Sequence, residues 1–308
     1  MSGLETLTTT ELSDWVQQAK AQADQGRVAD RIPLLAAADR EWFAVHIGCK
    51  SLQGISLGDT ACVFPLMSTI KPFSLLYLLE YLGAKTVFQR VGMEPSDASF
   101  NSLEQLIADD GRPRNPMINS GAITLAEMLP GRNASDRTQQ LCQWLNQTAG
   151  CKLLLDQDML ASVRSATSPA NRAIAQHLVT AGYLKNPEIA LDTYEQICCL
   201  SGRVEDLALL GQLLAYESGL LLPQHRCSVN ALMLTCGLYE ASPHFTLRIG
   251  LPMKSGISGA LLAVVPGQGA IACYSPALDS VGNPVAALVF VETLSQWLQL
   301  SIFGDRNC

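Results

Sequence analysis

The residues best suited to chemistry are Ser68 and Lys71, in the run Phe64-Pro65-Leu66-Met67-Ser68-Thr69-Ile70-Lys71-Pro72-Phe73. A serine hydroxyl attacks a carbonyl only with a base beside it, and lysine serves when burial keeps its amine neutral. Positions i and i+3 share a helix face, so a helix starting near Ser68 points both groups the same way. Pro72 has no N–H to return to the Ser68 carbonyl, which predicts an irregular start with the proline in the first turn. The same spacing also suits a capping serine followed by a solvated lysine. Asn119 carries an amide able to donate and accept toward a carboxylate or amide substrate, or to cap the helical run after it. Lys254-Ser255-Gly256 follows Gly250-Leu251-Pro252-Met253, and Gly256 and Gly259 permit close backbone approach. Alone, that phrase also reads as a turn with a solvated lysine.

Composition narrows the function classes. The chain has 308 residues, 48% of them apolar, enough for a large core in one or two domains. A net charge of −7 without a basic patch argues against nucleic-acid binding. The most apolar stretch, Val285–Phe303, is interrupted by Glu292, Ser295 and Gln296, so no membrane span is expected. Met1-Ser2-Gly3-Leu4-Glu5 lacks the basic start and apolar centre of an export signal, which predicts a cytoplasmic protein. The ten cysteines, at 49, 62, 142, 151, 198, 199, 227, 236, 273 and 308, then read as reduced structural thiols. Cys198-Cys199 have no metal or redox spacing, and only four histidines (46, 177, 225, 244) exist, so neither metal nor cofactor is expected.

The elements that must position these groups follow from periodicity. Residues 9–24 predict an amphipathic helix with Leu12, Trp15, Val16 and Ala19 on one face. Trp42–Ile47, the segment around Ile55 and Ala61–Leu66 predict short strands. Helices are expected over 68–82, 102–109, 120–128, 135–148, 171–182, 188–200 and 204–217. Strand character returns at Phe245–Ile249, Leu261–Val265 and Ala270–Tyr274, before a terminal helix over Val285–Leu300. Strands at both ends and helices between predict one antiparallel sheet built from the termini, with an all-helical lobe inserted. The expected division is residues 1–66 with 225–308 in the sheet lobe and 67–224 in the helical lobe. Ser68 falls where the chain crosses between them, and a cleft there is the expected site.

Lys-Ser-Gly ahead of a strand resembles the Lys-Thr-Gly strand of serine β-lactamases and penicillin-binding proteins. A wider set of phrases carries a more specific resemblance. They are Gly26-Arg27-Val28-Ala29-Asp30-x-Ile32-Pro33, Gly92-Met93-Glu94-Pro95-Ser96 with Phe100-Asn101-Ser102, Asn115-Pro116-Met117-Ile118-Asn119, Asn171-Arg172-Ala173-Ile174-Ala175, Cys236-Gly237-Leu238-Tyr239, the Lys254 phrase, and Ser275-Pro276 through Leu278-Asp279 to Gly282-Asn283. In this order they resemble the serine-dependent glutaminases, over about Gly26 to Asn283. That resemblance implies an α+β, β-lactamase-like fold: an antiparallel sheet flanked by helices plus the helical lobe. It implies hydrolysis of L-glutamine to L-glutamate and ammonia without a cofactor, in a homo-oligomer (dimer or tetramer). It assigns Ser68 as nucleophile, Lys71 as base, and Tyr239 as proton donor to the leaving ammonia. Asn119, Asn171 and Tyr194 would line the substrate pocket, and the backbone N–H groups of Ser68 and Ile257 would form the oxyanion hole.

Two departures from the family pattern fall on the pocket. Arg31 stands where the family has a tyrosine bordering the substrate. The stretch Ala161 to Asn171 has Val163 where the family carries a glutamate that helps hold the substrate. An ammonium without an anionic partner is costly to bury, so glutamine is expected to be handled poorly unless Asp30, Asp192 or Glu195 compensates. A Ser–Lys amide hydrolase with a shifted substrate, and a non-catalytic binding relative, are the alternatives. The intact Ser68, Lys71, Tyr239 and Lys254 phrase argue against the second.

Overall fold

The computed structural model describes residues 3–50, 54–166 and 168–304. Met1, Ser2, Thr167 and Cys308 lie outside them. The first part runs α1 (Thr9–Lys20), α2 (Pro33–Ala36), β1 (Ala44–Cys49), β2 (Ile55–Gly58) and β3 (Phe64–Pro65). The middle holds α3 (Lys71–Leu82), α4 (Ala84–Arg90), α5 (Leu103–Ala108), α6 (Asn119–Met128), α7 (Ala134–Ala149), β4 (Leu154–Leu155), α8 (Gln157–Ser165), α9 (Pro169–Thr180), α10 (Pro187–Cys198) and β5 (Leu200–Gly202). The last part comprises α11 (Val204–Ala215), α12 (Pro223–Cys236), α13 (Ser242–Arg248), β6 (Met253–Ser255), β7 (Ala260–Val265), β8 (Gly269–Tyr274) and α14 (Val285–Leu298).

The main sheet is antiparallel in the order β2-β1-β8-β7-β6, so strands from both ends of the chain meet at its centre. β7 and β8 are buried at every position because both faces of the sheet are covered. Their sequences therefore read as unbroken apolar runs rather than alternations. On one face Val45, Ile47, Leu261, Ala263, Val265 and Ile271 pack with Leu12 and Val16 of α1 and Phe290, Val291 and Leu294 of α14. On the other, small residues such as Ala44, Ala270 and Ala272 let α11 approach closely. A Cβ on Gly211 would lie 2.6 Å from both Ala270 Cβ and Leu262 Cδ1, so that helix position has room for hydrogen only.

Two expected strands turn out differently. Ala61–Leu66 contributes only the two residues of β3, and these join a second sheet, β3-β5-β4, pairing Phe64 with Gly202 and Pro65 with Ser201. Phe245–Ile249 is not a strand. It lies in and just after α13, whose first turn contains Pro243 and whose Leu247 is exposed. The proline pre-sets a helical φ, and short apolar runs do not discriminate helix from strand. Helix α12 was not expected, although Val229, Leu232, Met233 and Cys236 follow helical spacing and are buried. Among the described residues, no helix is long and apolar enough to cross a membrane.

Candidate active site

Leu66 N–H donates to the Leu200 carbonyl at 2.8 Å, tying the approach to Ser68 onto the second sheet. Met67 then adopts φ +45°, a left-handed conformation uncommon for a side-chain-bearing residue and a form of strain that concentrates at functional sites. A 3₁₀ turn, Met67–Ile70, follows, and α3 begins at Lys71 with Pro72 in its first turn, where no N–H is needed. Ser68 and Lys71 are both buried, the lysine at 2% exposure. Lys71 Nζ donates to the Met117 carbonyl at 3.1 Å and to Asn119 Oδ1 at 2.8 Å. Burial pulls this amine down to about 8, against a smaller opposite effect of Cys198. A neutral amine has two N–H bonds and one lone pair. With both N–H bonds directed at these acceptors, one lone pair remains free to accept a proton.

The acceptors are themselves built in. Asn115 Oδ1 accepts from the backbone N–H of Met117 and of Ile118, while its Nδ2 donates to the Glu94 carbonyl, which shapes the loop carrying the Met117 carbonyl. Asn119 opens α6, and its amide is shared. Oδ1 also accepts from Tyr194 hydroxyl at 3.0 Å, and Nδ2 donates to Asn171 Oδ1 at 2.9 Å. Asn119, Asn171, Tyr194 and Lys71 therefore form one hydrogen-bonded set, drawn from α6, α9, α10 and α3.

Tyr239 approaches from the other side, with φ +58°. Its hydroxyl donates to the Ser255 carbonyl at 3.4 Å, and the Ser68 side chain beside it eases its ionisation in part. Burial raises the phenol to about 12, so it keeps its proton at neutral pH. Lys254 is fully buried, donates to the carbonyls of Gly237 and Ser255, and lies 4.3 Å from the centre of the Tyr239 ring. Burial first, and the charge of Lys71 second, push its amine well below the ordinary lysine value. The end of β6 passes against the nucleophile: a Cβ on Gly256 would meet the Leu66 carbonyl oxygen at 2.9 Å and Ser68 N at 3.3 Å. Ser255 Oγ donates to Asn283 Oδ1 at 2.6 Å, and Asp279 Oδ1 accepts the N–H groups of Val281, Gly282 and Asn283. The Leu278 to Asn283 phrase thus braces β6.

A cavity of about 60 Å³ brings together Ser68, Asn119, Asn171, Tyr194 and Ile257. It opens into an outer one of about 330 Å³ that shares Arg31, Phe100, Asn119, Ser168, Asn171 and Ile257 with it, making one cleft. Both departures lie on its wall, Arg31 and Val163. So does a carboxylate, Glu195, one of the three acids considered above. Asp30 borders only the outer part, and Asp192 pairs with Arg164. Phe100 and Cys198, which no residue-level argument singled out, also line it; Phe100 packs against Tyr239 with ring centres 4.7 Å apart and planes tilted by 38°. Their signal in the sequence is weak, because an aromatic or a thiol in an apolar run reads as core. A larger cavity of about 720 Å³, bordered by Lys152, Asp156, Arg203 and Asp206, includes no residue of this cluster. Among the described residues no group of three or more His, Cys, Asp or Glu side chains is placed to hold a metal.

Residues 26–303 match the family model described as Glutaminase. A glutaminase of Synechocystis sp. is 44% identical over 98% of this chain and 91% of its own length. A probable glutaminase from Bacillus subtilis, solved in complex with 6-diazo-5-oxo-L-norleucine, superposes with a TM-score of 0.88 at 28% identity, covering 97% of each chain. A covalent complex of the Bacillus subtilis glutaminase YbgJ with 5-oxo-L-norleucine, formed by reaction with the same compound, superposes with a TM-score of 0.86 at 29% identity, over 96% of this chain and 99% of that one. With its antiparallel sheets flanked by helices in the β-lactamase-like arrangement, this chain belongs to the glutaminase family.

Proposed function

We propose that the chain hydrolyses L-glutamine to L-glutamate and ammonia through an acyl-enzyme on Ser68. The observation that carries this reading is Ser68 on the wall of a cleft, one turn from a buried lysine whose amine burial makes easier to deprotonate, and beside a tyrosine that keeps its proton. Ser68 Oγ attacks the side-chain amide carbon while Lys71 Nζ takes the hydroxyl proton. The backbone N–H groups of Ser68 and Ile257 hold the oxyanion, a type of donation that contributes about 3–4 kcal/mol per donor in related acyl transfer. The C–N bond then breaks and ammonia leaves with a proton passed by Tyr239, which is replenished from Lys71. Water, deprotonated by the same amine, attacks the ester, the C–O bond to Ser68 breaks to release glutamate, and the amine returns its proton to Ser68 Oγ. Asn119, Asn171 and Tyr194 orient the substrate.

In this reading the sheet part (1–66 with 225–308) and the helical part (67–224) act as two lobes with the cleft at their seam. The protein works in the cytoplasm as a homo-oligomer, a dimer or tetramer. The test is ammonia release from glutamine together with hydroxylamine trapping of an acyl group on Ser68. Normal product formation with no acyl-enzyme under rapid quench would mean direct attack by water and overturn the covalent route.

A further inference from the structure

The cleft that holds Ser68 has two charged side chains on its wall, Glu195 and Arg31. Glu195 follows Tyr194 in α10, and Tyr194 is anchored to Asn119, so the carboxylate sits on a rigid support. Its side chain is 28% exposed, and its ion-pair contact is loose, Arg164 Nε at 4.0 Å. Arg164 is drawn the other way by a closer pairing with Asp192. Burial, with Asp192 and Glu188 adding to it, pushes the Glu195 carboxyl up, against Arg164 and Arg172. A partly buried carboxylate in this state gains from a cation delivered beside it. Asp30 borders only the outer, exposed part of the cleft, where solvent screens it. Arg31 lies at the mouth, yet its charge reaches inward, since it slightly favours ionisation of buried Tyr194 against the dominant effect of burial.

Resting on the glutaminase reading above, we infer that Glu195 and Arg31 bind the two charges on the α-carbon of L-glutamine, Glu195 the ammonium and Arg31 the carboxylate. The side-chain amide then extends toward Ser68. The glutamate missing at Val163 is replaced from the neighbouring helix α10, and the arginine that would repel an unpartnered ammonium becomes a partner for the carboxylate. Glutamine is then a good substrate in spite of both departures.

The test compares kcat/KM for three amides: L-glutamine, 4-carbamoylbutanoate, which lacks the ammonium, and 4-aminobutanamide, which lacks the carboxylate. In the unmodified protein glutamine should exceed each analogue by tenfold or more, and equal values for all three overturn the inference without any variant. Glu195→Gln should lower the ratio of glutamine to 4-carbamoylbutanoate about ten- to a hundredfold, below the full cost of stranding a buried charge because the site is partly exposed. Arg31→Gln should lower the ratio of glutamine to 4-aminobutanamide about three- to tenfold. If Arg31 instead neutralised Glu195, Arg31→Gln would free the carboxylate and raise kcat/KM for glutamine, which overturns the assignment. If the unmodified protein cleaves none of the three, the glutaminase reading falls as well. If it cleaves glutamine and the ratios do not move, only this inference falls.

Discussion

Two lysines, two tyrosines and a serine meet with their side chains buried, and the catalytic reading follows from what burial does to each. Ser68→Ala should leave a folded protein with little amidase activity, since losses near six orders of magnitude accompany removal of such nucleophiles. Lys71→Ala should cost nearly as much. The double variant should be scarcely worse than either, because the two act as a unit; additive losses in the cycle would separate them. kcat/KM should rise tenfold per pH unit below about 8 and level off above it, as Lys71 loses its proton. The same shift affects stability. Lys71 falls from 10.5 unfolded to about 8 folded, so between those values the unfolded chain binds more protons and stability increases with pH. Urea unfolding of wild type and Lys71→Met at pH 7.5 and 9.5 should show wild type gaining about 2 kcal/mol more than the variant over that interval. An equal response in both would mean that the amine is not held neutral by the fold.

At the scale of elements, the nucleophile depends on close backbone contacts that tolerate no added atoms. β6 passes so near Ser68 that Gly256→Ala would press a methyl group against the Leu66 carbonyl. The backbone must shift by tenths of an ångström, and since a ~1 Å misplacement costs about a hundredfold in well-positioned reactions, part of that loss follows. We therefore expect kcat to fall about three- to tenfold with KM nearly constant and thermal unfolding little changed. A fall in KM or a global loss of stability would place the role of Gly256 elsewhere. Asn115→Ala should act one step further back. Without its amide the loop loses three hydrogen bonds, and the Met117 carbonyl no longer meets Lys71 in a fixed position. The alkaline shift of the pH profile toward the ordinary lysine value, read alongside kcat, distinguishes this positioning role from simple destabilisation.

Over the whole molecule, the sheet and the helical part share one continuous core. Residues of β7 and β8 pack in the same apolar cluster as those of α3, α6 and α10, so the cleft walls are held by one packing arrangement. No step in the proposed mechanism uses a metal, and chelation by EDTA should leave glutamine turnover unchanged. A loss that zinc restores would contradict the Ser–Lys chemistry. The homo-oligomer proposed above predicts a molar mass by light scattering of two or four times 33.2 kDa. A mass of one chain would remove that proposal.

Much of the site was legible without coordinates because its chemistry is written in local phrases. Ser68 and Lys71 lie three residues apart on one turn, so their joint direction follows from helix geometry alone. The central strands were legible because both faces of the sheet are covered, which makes β7 and β8 unbroken apolar runs. What tertiary structure decided was the direction of side chains whose partners are far along the chain. Asn119 contacts Asn171 and Tyr194 across 52 and 75 residues, and Ser255 contacts Asn283 across 28. Spacing cannot report such meetings. The same holds for Phe245–Ile249, where a short apolar run fits either period and only Pro243 and the surrounding packing select a helix. It holds most clearly for the acid of the pocket. The sequence shows valine in place of a glutamate and three acids nearby. Only the packing of α10 against α6 and α9 sets Glu195 on the wall of the cavity that Ser68 also lines, while Asp192, three residues earlier on the same helix, pairs closely with Arg164, because burial of one helix face depends on partners far along the chain.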